Sequence, residues 1–102
     1  MVVLLDIRFS FLCRTTHSNE KGNHPIVLRI IFRKNRRDIF TGLFCSKESW
    51  NNKEGKLHNI GKEALTINKN LEIILRKANT AFDALRFSGE DFSIDELVNK
   101  IK

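Results

Sequence analysis

Over residues 25–44 the side chains sort with a period of two into an oily set and a set that carries arginine, and that pattern admits few folds. Ile26, Leu28, Ile30 and Phe32 fall on one side of an extended strand, and Val27, Arg29, Ile31 and Arg33 on the other. Pro25 can open such a strand, where its missing N–H costs least. Lys34-Asn35-Arg36 reads as a tight turn, with Asn35 the residue most tolerant of a left-handed backbone. A return strand is expected over residues 37–44, where Ile39, Thr41 and Leu43 alternate with Asp38, Phe40 and Gly42. The product is a hairpin with one oily face and one face studded with arginine.

The rest of the chain supplies a third strand and a cover. Over residues 4–14, Ile7, Phe9, Phe11 and Cys13 alternate with Arg8, Ser10, Leu12 and Arg14, again a half-buried strand. Residues 15–24 are polar, contain Asn19, Gly22 and Asn23, and read as a loop. Residues 46–57 read as irregular, with Trp50 plugging one end of the core. A long helix is expected over residues 62–86, because Leu71, Ile74, Leu75, Ala78, Phe82 and Leu85 recur at spacings of three and four. Glu72 and Arg76 support it as an i,i+4 pair, and Ser88-Gly89 ends it. Ser93-Ile94-Asp95-Glu96 is a capping box, with Phe92 and Leu97 as its hydrophobic staple, so a short helix should span residues 94–101. The expected class is α+β: a three-stranded antiparallel sheet packed on a long helix, plus a short C-terminal helix.

Length and charge narrow the function. A chain of 102 residues can bury one modest core. It has no apolar run of the roughly 18 residues that a membrane span needs, and no signal-peptide pattern, so a cytoplasmic location is expected. Net charge is +6, and residues 1–50 carry nine Lys/Arg against four Asp/Glu, so most of the excess lies in the strand-forming half. That imbalance favours a polyanionic partner. Catalytic constellations are missing: there are no paired carboxylates at a buried spacing and no glycine-rich phosphate loop. The absence of tyrosine excludes a tyrosine nucleophile. His17, His24 and His58 read as solvated loop residues, and Cys13 and Cys45 as free thiols without zinc-ligand spacing. No metal, cofactor, small-molecule substrate or membrane partner is expected.

The candidate site is the outer sheet face. It comprises Arg8, Ser10 and Arg14 on the first strand, Arg29 and Arg33 on the second, Lys34, Arg36 and Arg37 around the turn, and Phe40 on the third. Arginine suits this task because its rigid fork can grip guanine O6 and N7, or a phosphate, with two bonds. Residues alone leave other readings open. The face could be solvated and charged to block edge pairing. It could bind RNA or single strands, although Phe40 would be the one ring offered for stacking. The chain could also be a protein-interaction module.

The order of the pieces narrows this further. A strand ends at Arg14, the polar Lys21-Gly22 loop follows, and then comes Pro25-Ile26-Val27-Leu28-Arg29-Ile30. Next are a basic turn, Ile39-Phe40-Thr41-Gly42-Leu43, Trp50-Asn51, the loop Lys53-Glu54-Gly55-Lys56, and Ile67-Asn68-Lys69-Asn70-Leu71 early in the long helix. Together, over nearly the whole chain, they resemble the N-terminal arm-type DNA-binding domain of tyrosine recombinases, the integrases of phages and conjugative transposons. The resemblance implies a three-stranded sheet that enters the major groove of arm-site double-stranded DNA. It implies that role for Arg8, Ser10, Arg14, Arg29, Arg33 and the turn at residues 34–37. Phe40 departs from the smaller polar residue expected there and could meet a thymine methyl or simply cover the sheet. Whole enzymes of that family continue into core-binding and catalytic domains. The resemblance therefore implies a recognition domain at residues 1–88, and at residues 89–102 a capped helix that could link to a core-binding domain. Other recombinase subunits are then candidate partners beside DNA.

Overall fold

The computed structural model describes residues 7–58 and 61–102. The part of the first expected strand that precedes Ile7 lies outside the described residues. Three strands, β1 (Ile7–Cys13), β2 (His24–Phe32) and β3 (Asn35–Cys45), form an antiparallel sheet in the order β1-β2-β3. Alternation decides which face is buried. Ile26, Leu28, Ile30 and Phe32 of β2 are almost fully buried, and Phe9 and Phe11 of β1 and Ile39 of β3 sit beside them. At about 25 cal/mol per Å2 of apolar area, burying each such side chain contributes roughly 1.5–3 kcal/mol.

The β2–β3 turn differs from the sequence expectation. Phe32 pairs with Asn35, so only Arg33 and Lys34 form the loop, and both take positive φ, 51° and 69°. Two successive left-handed residues match the twist of the flanking strands. Asn35 instead begins β3. The correction changes faces: Arg37 lies across from Ile30, on the helix side of the sheet, rather than among the outer cations. A second irregularity lies further along. Val27 pairs with Phe40 but Pro25 pairs with Phe44, so residues 41–43 bulge opposite Ile26. Gly42 supplies the φ of 83° that the bulge requires. Thr41 Oγ1 donates to the Ile26 carbonyl at 2.7 Å and accepts from the Leu43 N–H at 3.1 Å.

The cover is helical. Helix α1 (Gly61–Phe87) runs 27 residues, about 40 Å at 1.5 Å per residue, along the 48 Å long axis of the molecule. Its early residues Ala64 and Leu71 pack with Ile26, Cys45, Trp50 and Leu57. Its later residues Ala78, Ala81 and Phe82 pack with Leu28, Ile30 and Phe32 and with Phe92, Ile94, Leu97 and Ile101. The last three belong to α2 (Ile94–Ile101), whose Ser93 cap accepts the Glu96 N–H at 3.2 Å, as the capping box predicts. Phe92 stacks on Phe32 at 5.0 Å, and Phe82 meets both rings edge-on at 6.1 and 6.0 Å. Three aromatic rings thus join β2, α1 and the start of α2.

Residues 46–57 are more ordered than their composition suggests. After a short 3-10 turn, β4 (Trp50–Asn51) and β5 (Lys56–Leu57) make a small hairpin. Asn51 Oδ1 caps its loop by accepting the N–H groups of Lys53 and Glu54. Asn68 of α1 then takes both backbone groups of Leu57: its Oδ1 accepts the N–H at 2.8 Å and its Nδ2 donates to the carbonyl at 2.9 Å. One amide side chain thereby replaces a missing strand neighbour. Trp50 is buried at this end of the core, as expected. Cys13 and Cys45 are free thiols with sulfurs 3.6 Å apart, and burial pushes the Cys45 thiol up to about 12.

Two substitutions check this architecture. Asn68→Ala should lower unfolding free energy by about 1–3 kcal/mol in urea titration, because it orphans a backbone donor and acceptor of Leu57. Lys34→Gly should instead raise it by about 0.5–1 kcal/mol, because relief of the left-handed strain exceeds glycine's added freedom in the unfolded chain.

Candidate nucleic-acid interface

Both helices lie on one side of the sheet, so the side chains that alternate away from the core form an open face. Strand register arranges them in rows. Arg8, Ile31 and Arg36 form the row nearest the turn; Ser10, Arg29 and Asp38 the next; Leu12, Val27 and Phe40 the third. The Arg14 N–H donates to the Pro25 carbonyl at 2.8 Å and so adds a fourth row that ends at Phe44.

Asp38 occupies the centre of the polar half. Its Oδ1 accepts from Arg29 Nε at 2.9 Å and its Oδ2 from Arg29 Nη2 at 3.1 Å, a side-on fork. Oδ2 also accepts from Arg14 Nη2 at 2.8 Å. One carboxylate therefore serves two guanidiniums, one from β2 and one from just past the end of β1, and the cluster keeps a net positive charge. The Asp38 side chain is only 14% exposed, against 25% for Arg29 and 43% for Arg14. The Arg29 hydrogen bond holds its carboxyl below the usual aspartate range against the opposing effect of burial, and Arg14 adds to that effect. The same bond raises the Arg29 pKa. This satisfied cluster at the middle of a solvent face is worth more than an exposed pair, because its carboxylate is largely shielded from water.

The expected arginines thus separate into three groups. Arg14 and Arg29 converge on Asp38. Arg33 and Arg37 turn to the helix side, where Arg33 Nη1 meets Asp91 at 2.6 Å and Arg37 Nε meets Asp95 at 3.0 Å. Arg33 also lies over the Phe32 ring, 5.0 Å from its centroid. Its expected place on the outer face is therefore corrected: strand alternation stops at Phe32, and the left-handed backbone swings the next side chain towards α2. Asp95 lies in the first turn of α2, where a carboxylate also complements the helix dipole. Arg8 and Arg36 pair with no carboxylate among the described residues and are exposed, as is Lys34 at the turn.

The other half of the face is apolar. Phe40 is 54% exposed and meets Phe44 edge-on at 5.4 Å. Phe40 and Phe44 share a face by strand parity, and the bulge at residues 41–43 places Phe44, in the position Gly42 would otherwise take, opposite Pro25. With Val27 and Pro25 below and His17, Ser18 and Asn19 opposite, the two rings border an open groove of about 430 Å3. The loop of residues 14–24 that forms the far wall is tightly tied. Asn19 Oδ1 accepts the Lys21 and Asn23 N–H groups, and His24 Nδ1 bonds the His17 carbonyl at 2.5 Å. Sequence reasoning grouped Val27 with Arg29 and Asp38 with Phe40, but it named neither Val27 nor Asp38 in the site and missed the pairing of Asp38 with Arg29 and the place of Phe44 beside Phe40. A two-residue turn would have placed Asp38 opposite Arg29 by counting alone.

Among the described residues, no three His, Cys, Asp or Glu side chains gather as a metal site requires, and no helix is long and apolar enough to cross a membrane. The chain matches no curated protein and no solved structure. A family profile does match: that of the Arm DNA-binding domain, over residues 11–98. The matched span begins within β1, just after Arg8 and Ser10, and runs into α2. It includes Arg14, Arg29, Asp38 and the whole β2–β3 hairpin. A basic sheet face left open by its helices and a family profile covering most of the chain agree, and the chain belongs to the Arm DNA-binding domain family, a family of DNA-binding domains.

Proposed function

We propose that this domain is the recognition module of an integrase-type tyrosine recombinase, and that it lays its open sheet face into the major groove of arm-site duplex DNA. The observation that carries the reading is the grouping of Arg8, Arg14, Arg29 and Arg36 on the face that the helices leave bare. Dimensions support it. Adjacent strands lie about 4.8 Å apart, so β1 and β3 are separated by roughly 10 Å. The major groove is about 12 Å wide.

Position on the sheet divides the labour. Arg29 lies on the central strand, over the groove floor, and would meet base edges together with Arg14 and Ser10. Arg8 and Arg36 lie on the two edge strands, beside the phosphate walls, and Lys34 extends that contact at the turn. Phe40 and Phe44 would cover thymine methyls along the same groove. In this reading Arg33 and Arg37 support the interface from behind by fastening the hairpin to α2. Exposed Leu65, Ile73 and Phe87 on α1 offer apolar contacts to neighbouring recombinase subunits. The bacterial nucleoid is the corresponding location.

Single-stranded nucleic acid is the competing ligand, because Phe44 adds a second exposed ring. The two rings meet at 67°, however, and do not form a pair of parallel stacking platforms. Duplex should therefore outcompete either of its separated strands in an anisotropy assay; preferential binding of the single strands would overturn the groove reading.

Variants separate the two kinds of contact. Arg8→Ala and Arg36→Ala should weaken binding to all duplexes alike, and each should flatten the slope of log K against log salt by about 0.9. Arg29→Ala should cost about 1–3 kcal/mol on the best duplex from a randomised library and far less on random DNA. Equal effects of all three on both duplexes would contradict the division.

A further inference from the structure

Asp38 is unusual for a face that is to meet DNA. A carboxylate there opposes the phosphates, and the groove edges of guanine offer acceptors that repel it. Yet it sits at the centre of the face, and its position is built. Arg29 grips it through Nε and Nη2, at 2.9 and 3.1 Å, from the adjacent strand. Arg14 reaches it across β2 at 2.8 Å.

The edge that Arg29 uses is the informative detail. A guanidinium has a side edge, Nε with one Nη, and an end edge formed by its two Nη atoms. Asp38 occupies the side edge. The end edge, with Nη1 wholly uncommitted among the described residues, remains for a second bidentate partner. Guanine O6 and N7 accept two parallel N–H groups in that manner. Carboxylate and base would thus occupy different edges of one fork. Arg14 spends only one Nη2 bond on Asp38 and keeps Nη1 and Nε. Without the carboxylate, two long cationic side chains would lie close together, repel one another and sample many rotamers.

We propose that Asp38 is a positioning residue for sequence recognition: it fixes the forks of Arg29 and Arg14 so that their free edges read guanine in duplex DNA. The proposal rests on the face-in-groove reading given above. It assigns to Asp38 a role in selectivity, at a cost in affinity. The carboxylate reduces the attraction of the face for DNA in general. In return, the arginines lose less freedom when they meet the correct base. Affinity and selectivity should therefore move in opposite directions when Asp38 is changed.

The test is selection from a randomised duplex library with the full chain as wild type, Asp38→Asn, Asp38→Ala and Arg29→Lys. Anisotropy then compares the wild-type-selected duplex with one whose specified G·C pairs are replaced by A·T. Circular dichroism melting reports folding for each variant. The wild type should select a motif with specified guanines. Asp38→Asn, isosteric but uncharged, should bind random duplex more tightly and lose roughly tenfold or more of its discrimination, the share of one bidentate arginine–guanine pair. Arg29→Lys, which keeps the charge but not the fork, should lose a similar share. A merely structural carboxylate would lower the melting temperature and leave the discrimination ratio of the folded chain intact. Full discrimination in folded Asp38→Asn, an equal loss on both duplexes, or a selected motif without guanine would overturn the proposal. If neither Asp38 variant folds, full discrimination by Arg29→Lys overturns it and lost discrimination supports it. A wild-type chain that binds no duplex defeats the underlying groove reading instead, and does so before any variant is compared.

Discussion

Ile26, Leu28, Ile30 and Phe32 must all be covered from one side of β2, and the rest of the molecule is arranged around that need. Three strands cannot close on themselves, so a separate layer has to be laid against them. Helix α1 alone spans the length of the sheet, and the ring cluster of Phe32, Phe82 and Phe92 brings α2 in at the turn end. Among the described residues no helix is left for the opposite face. The open surface is thus a consequence of how a short chain spends its apolar residues, and the same parity that buries one side of β2 presents Arg29 on the other.

Charge on that surface is arranged with economy. Six arginines surround the hairpin and its neighbours, but four of them answer to carboxylates. Arg33 and Arg37 pair with Asp91 and Asp95, which ties the hairpin tip to α2, while Arg14 and Arg29 share Asp38. The pairs behind the sheet stiffen the ribbon. The Asp38 cluster in front is the one proposed to set the direction of the forks. Arg8, Arg36 and Lys34 have no carboxylate partner among the described residues and lie at the edges and tip of the sheet, where in the proposed reading the phosphates would run.

Periodicity made much of this legible. The buried faces of β1 and β2, the stripe of α1 and the Ser93 cap of α2 all depend on neighbours within a few residues, and each is present as expected. The turn was not legible, because Arg33 and Lys34 carry no glycine or asparagine to advertise two left-handed residues; Asn35 drew the expectation one step too far. That single displacement hid the pairing of Asp38 with Arg29 and the reversal of Arg37. The bulge at Thr41 was equally silent, although Gly42 hinted at it, and with it went the pairing of Phe44 with Pro25. Asn68 bonding to Leu57 is a contact between elements eleven residues apart, which local pattern cannot supply. The family resemblance, by contrast, rested on the order of short pieces and was confirmed over residues 11–98.

Whether the open face is the one that meets DNA can be measured residue by residue. Backbone amide and arginine side-chain shifts, recorded by NMR during titration with a duplex of about twelve base pairs, map the contact surface directly; such a duplex gives the sheet one full turn of groove. Face-on binding predicts perturbations concentrated at Arg8, Ser10, Arg14, Arg29, Ile31, Arg36 and Phe40, with the solvent side of α1 unchanged. Perturbations centred on Leu65, Ile73 and Arg76 of α1, with Arg29 and Phe40 unmoved, would contradict it.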